Sequence, residues 1–217
     1  MAILYNSPAH RKMAKYLLDR YPNLITGVYE QVSTCRSAIQ PMYQGENCLH
    51  IAIIQKDFEM VRELLSREPQ LLLGTFSPVR LSHPTHTLTG RATGKFFQIS
   101  QPCYYGEYPL IFACCTNQHD MVLYLLAQGA DMSVSDGNGN TVLHLLVIHK
   151  MQRMYEKVVT LWKKWVRENH DQLTPLTLAA QLADVSTFEF LLERQKEVQW
   201  TYGPVTCSLY PLEEIDT

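Results

Sequence analysis

The chain has 217 residues, a net charge of −2 and a pI near 6.4. That balance gives no case for nucleic-acid binding, which needs a basic patch or stripe. The longest apolar runs, such as 145–148, fall far short of the roughly 20 residues a helix needs to cross a bilayer.

The chain opens without the charged start and apolar stretch of a secretory leader. The first helical pattern is Met13-Ala14-Lys15-Tyr16-Leu17-Leu18, which reads as the second helix of a pair. Leu49 follows, with the aliphatic pair Leu64–Leu65 placed 15 and 16 residues later. Leu110, Leu143 and Leu176 repeat the arrangement at a spacing of 33, with followers Leu125–Leu126, Val158–Val159 and Leu191–Leu192. A fixed period of this length is the mark of a stacked array of two antiparallel helices and a turn. On this register Ala2 stands where the first key Leu belongs, so the array is expected to start inside a unit.

Each unit is punctuated alike. Gly45, Gly106 and Gly139 stand four residues before the key Leu, where a turn needs positive φ, and Gln172 breaks the pattern. Ala52, Ala113, Leu146 and Ala179 stand three after it, where small side chains let neighbouring helices approach. The words around the key Leu are Asn47-Cys48-Leu49-His50, Tyr108-Pro109-Leu110-Ile111, Thr141-Val142-Leu143-His144 and Thr174-Pro175-Leu176-Thr177. They are variants of the Thr-Pro-Leu-His opening of an ankyrin repeat, with Thr174 as cap and Pro175 in the first turn. Second helices are predicted over 58–66, 119–128, 151–166 and 187–194. Asp136-Gly137-Asn138-Gly139 is a strong hairpin signal and marks a finger between repeats.

The period fails twice. Leu49 and Leu110 are 61 apart, and the excess lies in a segment rich in Ser, Thr, Pro, Gly and His, read as a long finger over 74–105. After Leu192 the pattern becomes Trp200-Thr201-Tyr202-Gly203-Pro204-Val205-Thr206-Cys207-Ser208-Leu209-Tyr210, two short strands about a turn. The fold expected is therefore all-α: an ankyrin-repeat solenoid with β-hairpin fingers and a short C-terminal β linker. Its parts are a partial first repeat and connector over 1–40, repeats over 41–194 and a linker over 195–217.

Four stretches carry a resemblance beyond a generic repeat array. They are Tyr43-Gln44-Gly45-Glu46 with Leu49-His50-Ile51-Ala52; Arg91 to Phe97 leading to Tyr105-Gly106-Glu107-Tyr108-Pro109-Leu110; Asp136 to His144; and Gln199 to Thr206 through Leu209-Tyr210 to Glu214-Ile215-Asp216. The second and fourth are specific, since ordinary ankyrin proteins have neither that finger nor that tail. The chain resembles the amino-terminal region of transient receptor potential channels of the vanilloid type, over roughly residues 10–217. The resemblance implies the end of repeat one, repeats two to five and the start of a linker sheet, all before the first membrane span. It implies a cytoplasmic location beneath the plasma membrane, and a tetrameric Ca²⁺-permeable parent in which neighbouring subunits meet through linker and fingers. Trp200, Tyr202, Tyr210, Phe96 and Phe97 are then the candidate subunit contacts. Members of that family can hold ATP or calmodulin on the concave face, which makes this face the candidate ligand site although no resident cofactor is expected. Tyr43 matches a base-contacting tyrosine, and Glu46 falls where the family often has Gln. Ile54 stands where an ATP-binding member has Glu, and the phosphate-binding lysines belong to repeat one. The alternative is a stand-alone ankyrin adaptor for a soluble partner.

No catalytic or metal constellation is expected. Gly90 to Lys95 fails as a phosphate loop because its glycines are one residue too close and Phe96 replaces the Ser/Thr. Asp131, Ser133, Ser135 and Gly137 fail as a calcium loop because Val142 stands at the bidentate Glu position. The six cysteines contain no Cys-x-x-Cys pair, so free thiols in a reducing compartment are expected; Cys114 and Cys115 are read as core thiols, with Cys115 open to modification only if it faces out. His50 and His144 are read as hydrogen-bonding groups of the repeat word. Met151 to Arg167 pairs an apolar face with Lys157, Lys163, Lys164 and Arg167, which is the pattern either of a buried outer helix or of a calmodulin target.

Overall fold

In the computed structural model, residues 2–27, 47–73, 108–162 and 167–210 are described. They fall into two compact units. The first contains the described residues up to Val134 and the second those from Ser135 onward.

In the first unit, α1 (Pro8–Arg20) is followed by two helix pairs: α2 (Cys48–Ile54) with α3 (Phe58–Arg67), and α4 (Pro109–Cys115) with α5 (His119–Ala127). The first helix of each pair is almost wholly buried. Leu49, Ala52, Ile53, Ile111, Ala113 and Cys114 are all inaccessible to solvent. The alanines at the small-residue positions allow α2 to pack on α4, and the His50 ring meets Phe112 edge-on at 4.6 Å. The second helices bury one stripe: Met60, Val61, Leu64 and Leu65 from α3, and Met121, Val122 and Leu125 from α5. The second unit repeats the theme with α6 (Val142–Ile148), α7 (Gln152–Leu161), α8 (Pro175–Gln181) and α9 (Val185–Gln195), followed by β1 (Glu197–Tyr202) and β2 (Val205–Leu209).

One turn recurs between the two helices of all four pairs. Lys56, Asn117, Lys150 and Ala183 each adopt positive φ, between 53° and 57°. Each donates its N–H to the carbonyl three residues back, and the residue after it donates to the carbonyl five back, as in Asp57 N to Ala52 O at 2.9 Å and Asp184 N to Ala179 O at 3.1 Å. This double bond is the Schellman arrangement, which satisfies the orphan carbonyls of the first helix. In two pairs the following residue at once caps the second helix: Asp57 Oδ1 accepts from Met60 N at 3.1 Å, and Asp184 Oδ1 from Thr187 N at 3.4 Å.

The boundaries of the second helices agree with the sequence reading to within two residues, with one exception. The helix predicted to run to Val166 ends at Leu161, because Trp162 leaves helical geometry (φ −123°, ψ 88°). The β-branched run Val158-Val159-Thr160 and the bulk of Trp162 weaken the helix where it would have to continue.

Candidate functional site

The element that departs from a plain repeat array is the hairpin after α9. Its strands pair antiparallel, with Trp200 opposite Cys207, Thr201 opposite Thr206 and Tyr202 opposite Val205, and a bulge intervenes between Val198 and Trp200. Gly203 turns the chain at φ 56°, ahead of Pro204. Because side chains alternate along a strand and opposed residues share a face, Trp200, Tyr202, Val205, Cys207 and Leu209 line one side. That side faces solvent in this chain: Trp200 is 54% exposed, Tyr202 82% and Leu209 55%. Every residue of β1 is exposed. A row of aromatic and aliphatic groups left in water is unusual unless another surface covers it.

The candidate aromatics do not act alike. Trp200 and Tyr202 stand side by side on the open face. Tyr210, just beyond β2, instead donates its hydroxyl to Glu193 Oε1 of α9 at 3.1 Å. Part of the third predicted contact is therefore used within the chain. The sequence reading missed Val205, Cys207 and Leu209, although the alternation Val-Thr-Cys-Ser-Leu already places them on the side of Trp200 and Tyr202. It also missed Glu193, which no local signal distinguishes from other helix-surface acids. Phe96, Phe97, Tyr43, Glu46 and the finger over 74–105 lie outside the described residues, as do Lys163, Lys164, Trp165 and Val166.

The finger of the second unit is a tightly bonded turn. Ser135 bridges Thr141, Asp136 N donates to Asn140 O at 3.0 Å, and Gly139 N donates to Asp136 O at 2.8 Å. Asp136 Oδ1 accepts from Asn138 N and Asn140 N at 2.9 and 2.7 Å. Asn169, 33 residues on, repeats the motif by accepting from Asp171 N and Leu173 N, each at 3.0 Å. The two turns are joined by Asn169 Nδ2 donating to Asn140 Oδ1 at 2.9 Å, with both side chains buried. Gln172, the residue that breaks the glycine rule, nevertheless holds φ at 60° beside 76° for Gly139.

His50 and His144 hydrogen-bond within the repeat word. His144 Nε2 donates to Leu173 O at 2.9 Å, so Nδ1 is the acceptor for Thr141 N and Oγ1 at 3.2 and 2.9 Å. Burial pushes the His144 pKa below its ordinary value. His50 Nδ1 lies 2.8 Å from Asn47 Oδ1. Among the described residues, no group of three or more His, Cys, Asp or Glu is placed to hold a metal ion. Cys115 faces inward at 2% exposure, as a core thiol does, so the condition for its modification is not met; the apolar packing of α4 turns its thiol into the core. The Met154, Tyr155 and Val158 side chains of α7 are buried too, so that part of the apolar face belongs to the core. No described helix is long and apolar enough to cross a membrane.

Comparison with known proteins agrees with this architecture. Residues 110–201 match the family model described as ankyrin repeats (3 copies). The human transient receptor potential cation channel subfamily V member 6 is 32% identical over 80% of this chain and 27% of its own length. Rabbit member 5 is 34% identical over 80% of this chain and 28% of its own length, and mouse member 2 is 34% identical over 81% and 25%. The chain belongs to the vanilloid-type transient receptor potential family. It spans about a quarter of the length of the curated relatives it matches. The family is one of ion channels and not of enzymes, and the stretch of it present here is ankyrin-repeat sequence followed by a two-stranded sheet.

Proposed function

We propose that this chain is a cytosolic assembly and regulatory region of a Ca²⁺-permeable cation channel, and that its work is recognition. In this reading residues 1–40 hold a partial repeat and connector, 41–194 stack as a solenoid, and 195–217 form the linker toward the membrane part. The parent is a tetramer at the plasma membrane, and each linker hairpin meets the fingers of the neighbouring subunit, with Phe96 and Phe97 contributing from the long finger.

The observation that carries the reading is the exposed Trp200–Tyr202 face, which a hairpin serving only its own chain would have buried. Aromatic groups of this kind are the usual energetic centres of protein contacts. The test is removal of residues 199–211, or the paired change Trp200→Ala with Tyr202→Ala, in the full reading frame. Subunit cross-linking is expected to collapse while the helix pairs keep their circular dichroism. Unchanged assembly overturns the proposal and leaves the adaptor reading.

Tyr43 and Glu46 are the corresponding proposal for an adenine nucleotide on the concave face. A calorimetric ATP titration checks it, and absence of heat at millimolar nucleotide sinks it.

A further inference from the structure

Both ends of the β1–β2 hairpin converge on one carboxylate. Lys196, the residue before β1, sets its Nζ 3.0 Å from Glu193 Oε2, while Tyr210, the residue after β2, donates to Glu193 Oε1 at 3.1 Å. Lys196 first and Tyr210 second hold the Glu193 carboxyl below the usual carboxylate range, so it remains an ionised acceptor for both at neutral pH.

Among the described residues, little burial directs the hairpin. β1 is exposed throughout and β2 has only Cys207 and Ser208 partly covered. A two-stranded ribbon without a buried face receives no orientation from packing. Its angle to α9 then depends on the backbone of Lys196, which leaves the helix in an extended conformation (φ −64°, ψ 123°), and on the bonds that close across that joint. Exposed hydrogen bonds are weak. Here, however, they need only choose among rotations about a few backbone torsions.

We propose that Glu193, Lys196 and Tyr210 form a clasp that sets the direction in which the Trp200–Tyr202 face leaves α9, and that these three are positioning residues for the partner contact. The consequence for assembly rests on the subunit-contact reading; the clasp itself does not.

The test uses the intact ¹⁵N-labelled chain in weak alignment. Residual dipolar couplings of 197–209 are compared with those of α8 and α9. The unaltered chain is expected to fit one alignment frame. Tyr210→Phe and Glu193→Gln are each expected to shrink the hairpin couplings and lower its heteronuclear NOE, while the cross-strand contacts Trp200–Cys207 and Tyr202–Val205 persist. Lys196→Arg retains the frame. Couplings that stay unchanged in both variants overturn the clasp, and so does loss of the cross-strand contacts, which would make the residues merely structural.

Cross-linking of the same variants in the full reading frame separates the two proposals. If Trp200→Ala with Tyr202→Ala abolishes assembly and the loosened variants assemble several-fold less well, the positioning role stands. If the loosened variants assemble normally while the aromatic variant does not, positioning is overturned. If neither affects assembly, the subunit-contact reading falls and the clasp survives as geometry alone.

Discussion

The Nε2 of His144 lies 2.9 Å from the carbonyl oxygen of Leu173, so a side chain at the start of α6 is bonded to the backbone of the next finger. The bond fixes the tautomer, because a carbonyl only accepts. Nδ1 is thereby left to accept from Thr141, and one imidazole closes the cap of its own helix and the register of its neighbour.

Stability is expected to fall as the pH drops below neutrality on account of this ring. Burial lowers the folded-state pKa of His144 beneath the ordinary value of 6.5. Between the two values the unfolded chain binds the extra proton, so the contribution is complete above about 6.5 and is lost progressively down to the folded pKa. Urea titrations at pH 7.5 and 5.5 measure the difference. His144→Phe is expected to flatten that dependence while costing about 1–3 kcal/mol, since Leu173 O and Thr141 N lose a buried partner. A pH dependence that survives the substitution would remove His144 as its source.

Gly139 and Gln172 occupy the same place in successive fingers, yet substitution there is expected to have opposite signs. A Cβ at Gly139 would sit 2.7 Å from His170 Cδ2 and 2.9 Å from His170 N, at φ 76°. Gly139→Ala is expected to destabilise by about 2 kcal/mol or more. Gln172 already bears the left-handed strain at φ 60°, so Gln172→Gly is expected to stabilise by up to about 1 kcal/mol, less the added freedom of the unfolded chain. Thermal melts of the two variants decide it, and a destabilised Gln172→Gly would show that the side chain contributes more than its backbone costs.

The ion pairs between α1 and α3 are expected to be unequal. Asp57 is 3% exposed, receives Arg11 Nε at 2.6 Å and caps α3 through Met60 N. Glu59 is 63% exposed and meets Lys15 at 3.1 Å in solvent. Asp57→Ala is expected to cost about 2 kcal/mol, a lost cap together with a lost charged partner. Glu59→Gln is expected to lie within the error of a denaturant titration. Equal losses from the two would contradict the burial argument.

Thiol reactivity is expected to sort by depth. Burial pushes Cys114 up to about 12 and Cys115 well above its ordinary value, the latter with a further push from Cys114. Maleimide labelling followed by peptide mapping should find Cys207 modified quickly, with Cys114 and Cys115 modified only as fast as the unit opens. Rapid native labelling at 114 or 115 would mean that α4 opens locally far more often than its packing implies.

Much of this was legible from spacing. The 33-residue interval located the buried leucines, and Leu49, Leu110, Leu143 and Leu176 are at most 4% exposed. Asp-Gly and Asn-Gly marked the finger, and the aromatic run after Leu192 marked the hairpin. The inter-helix turns were not legible, because Lys56, Lys150 and Ala183 are not residues that ordinarily adopt positive φ. The double hydrogen bond that forces them there exists only once a helix has been formed and ended. The length of α7 escaped for a similar reason: Trp162 extends the apolar pattern while its backbone has already left the helix.

By itself the sequence determined the repeat, its core positions, the Asp136–Gly139 finger and the family, because these follow from periodicity and local conformational preference. Only the tertiary structure decided which way particular side chains face. Cys115 turns into the core, and Tyr210 turns back to Glu193 while Trp200 and Tyr202 remain in solvent. Such choices depend on groups brought together from distant positions, 17 residues apart for Tyr210 and Glu193 and 29 for His144 and Leu173, and no local preference encodes them.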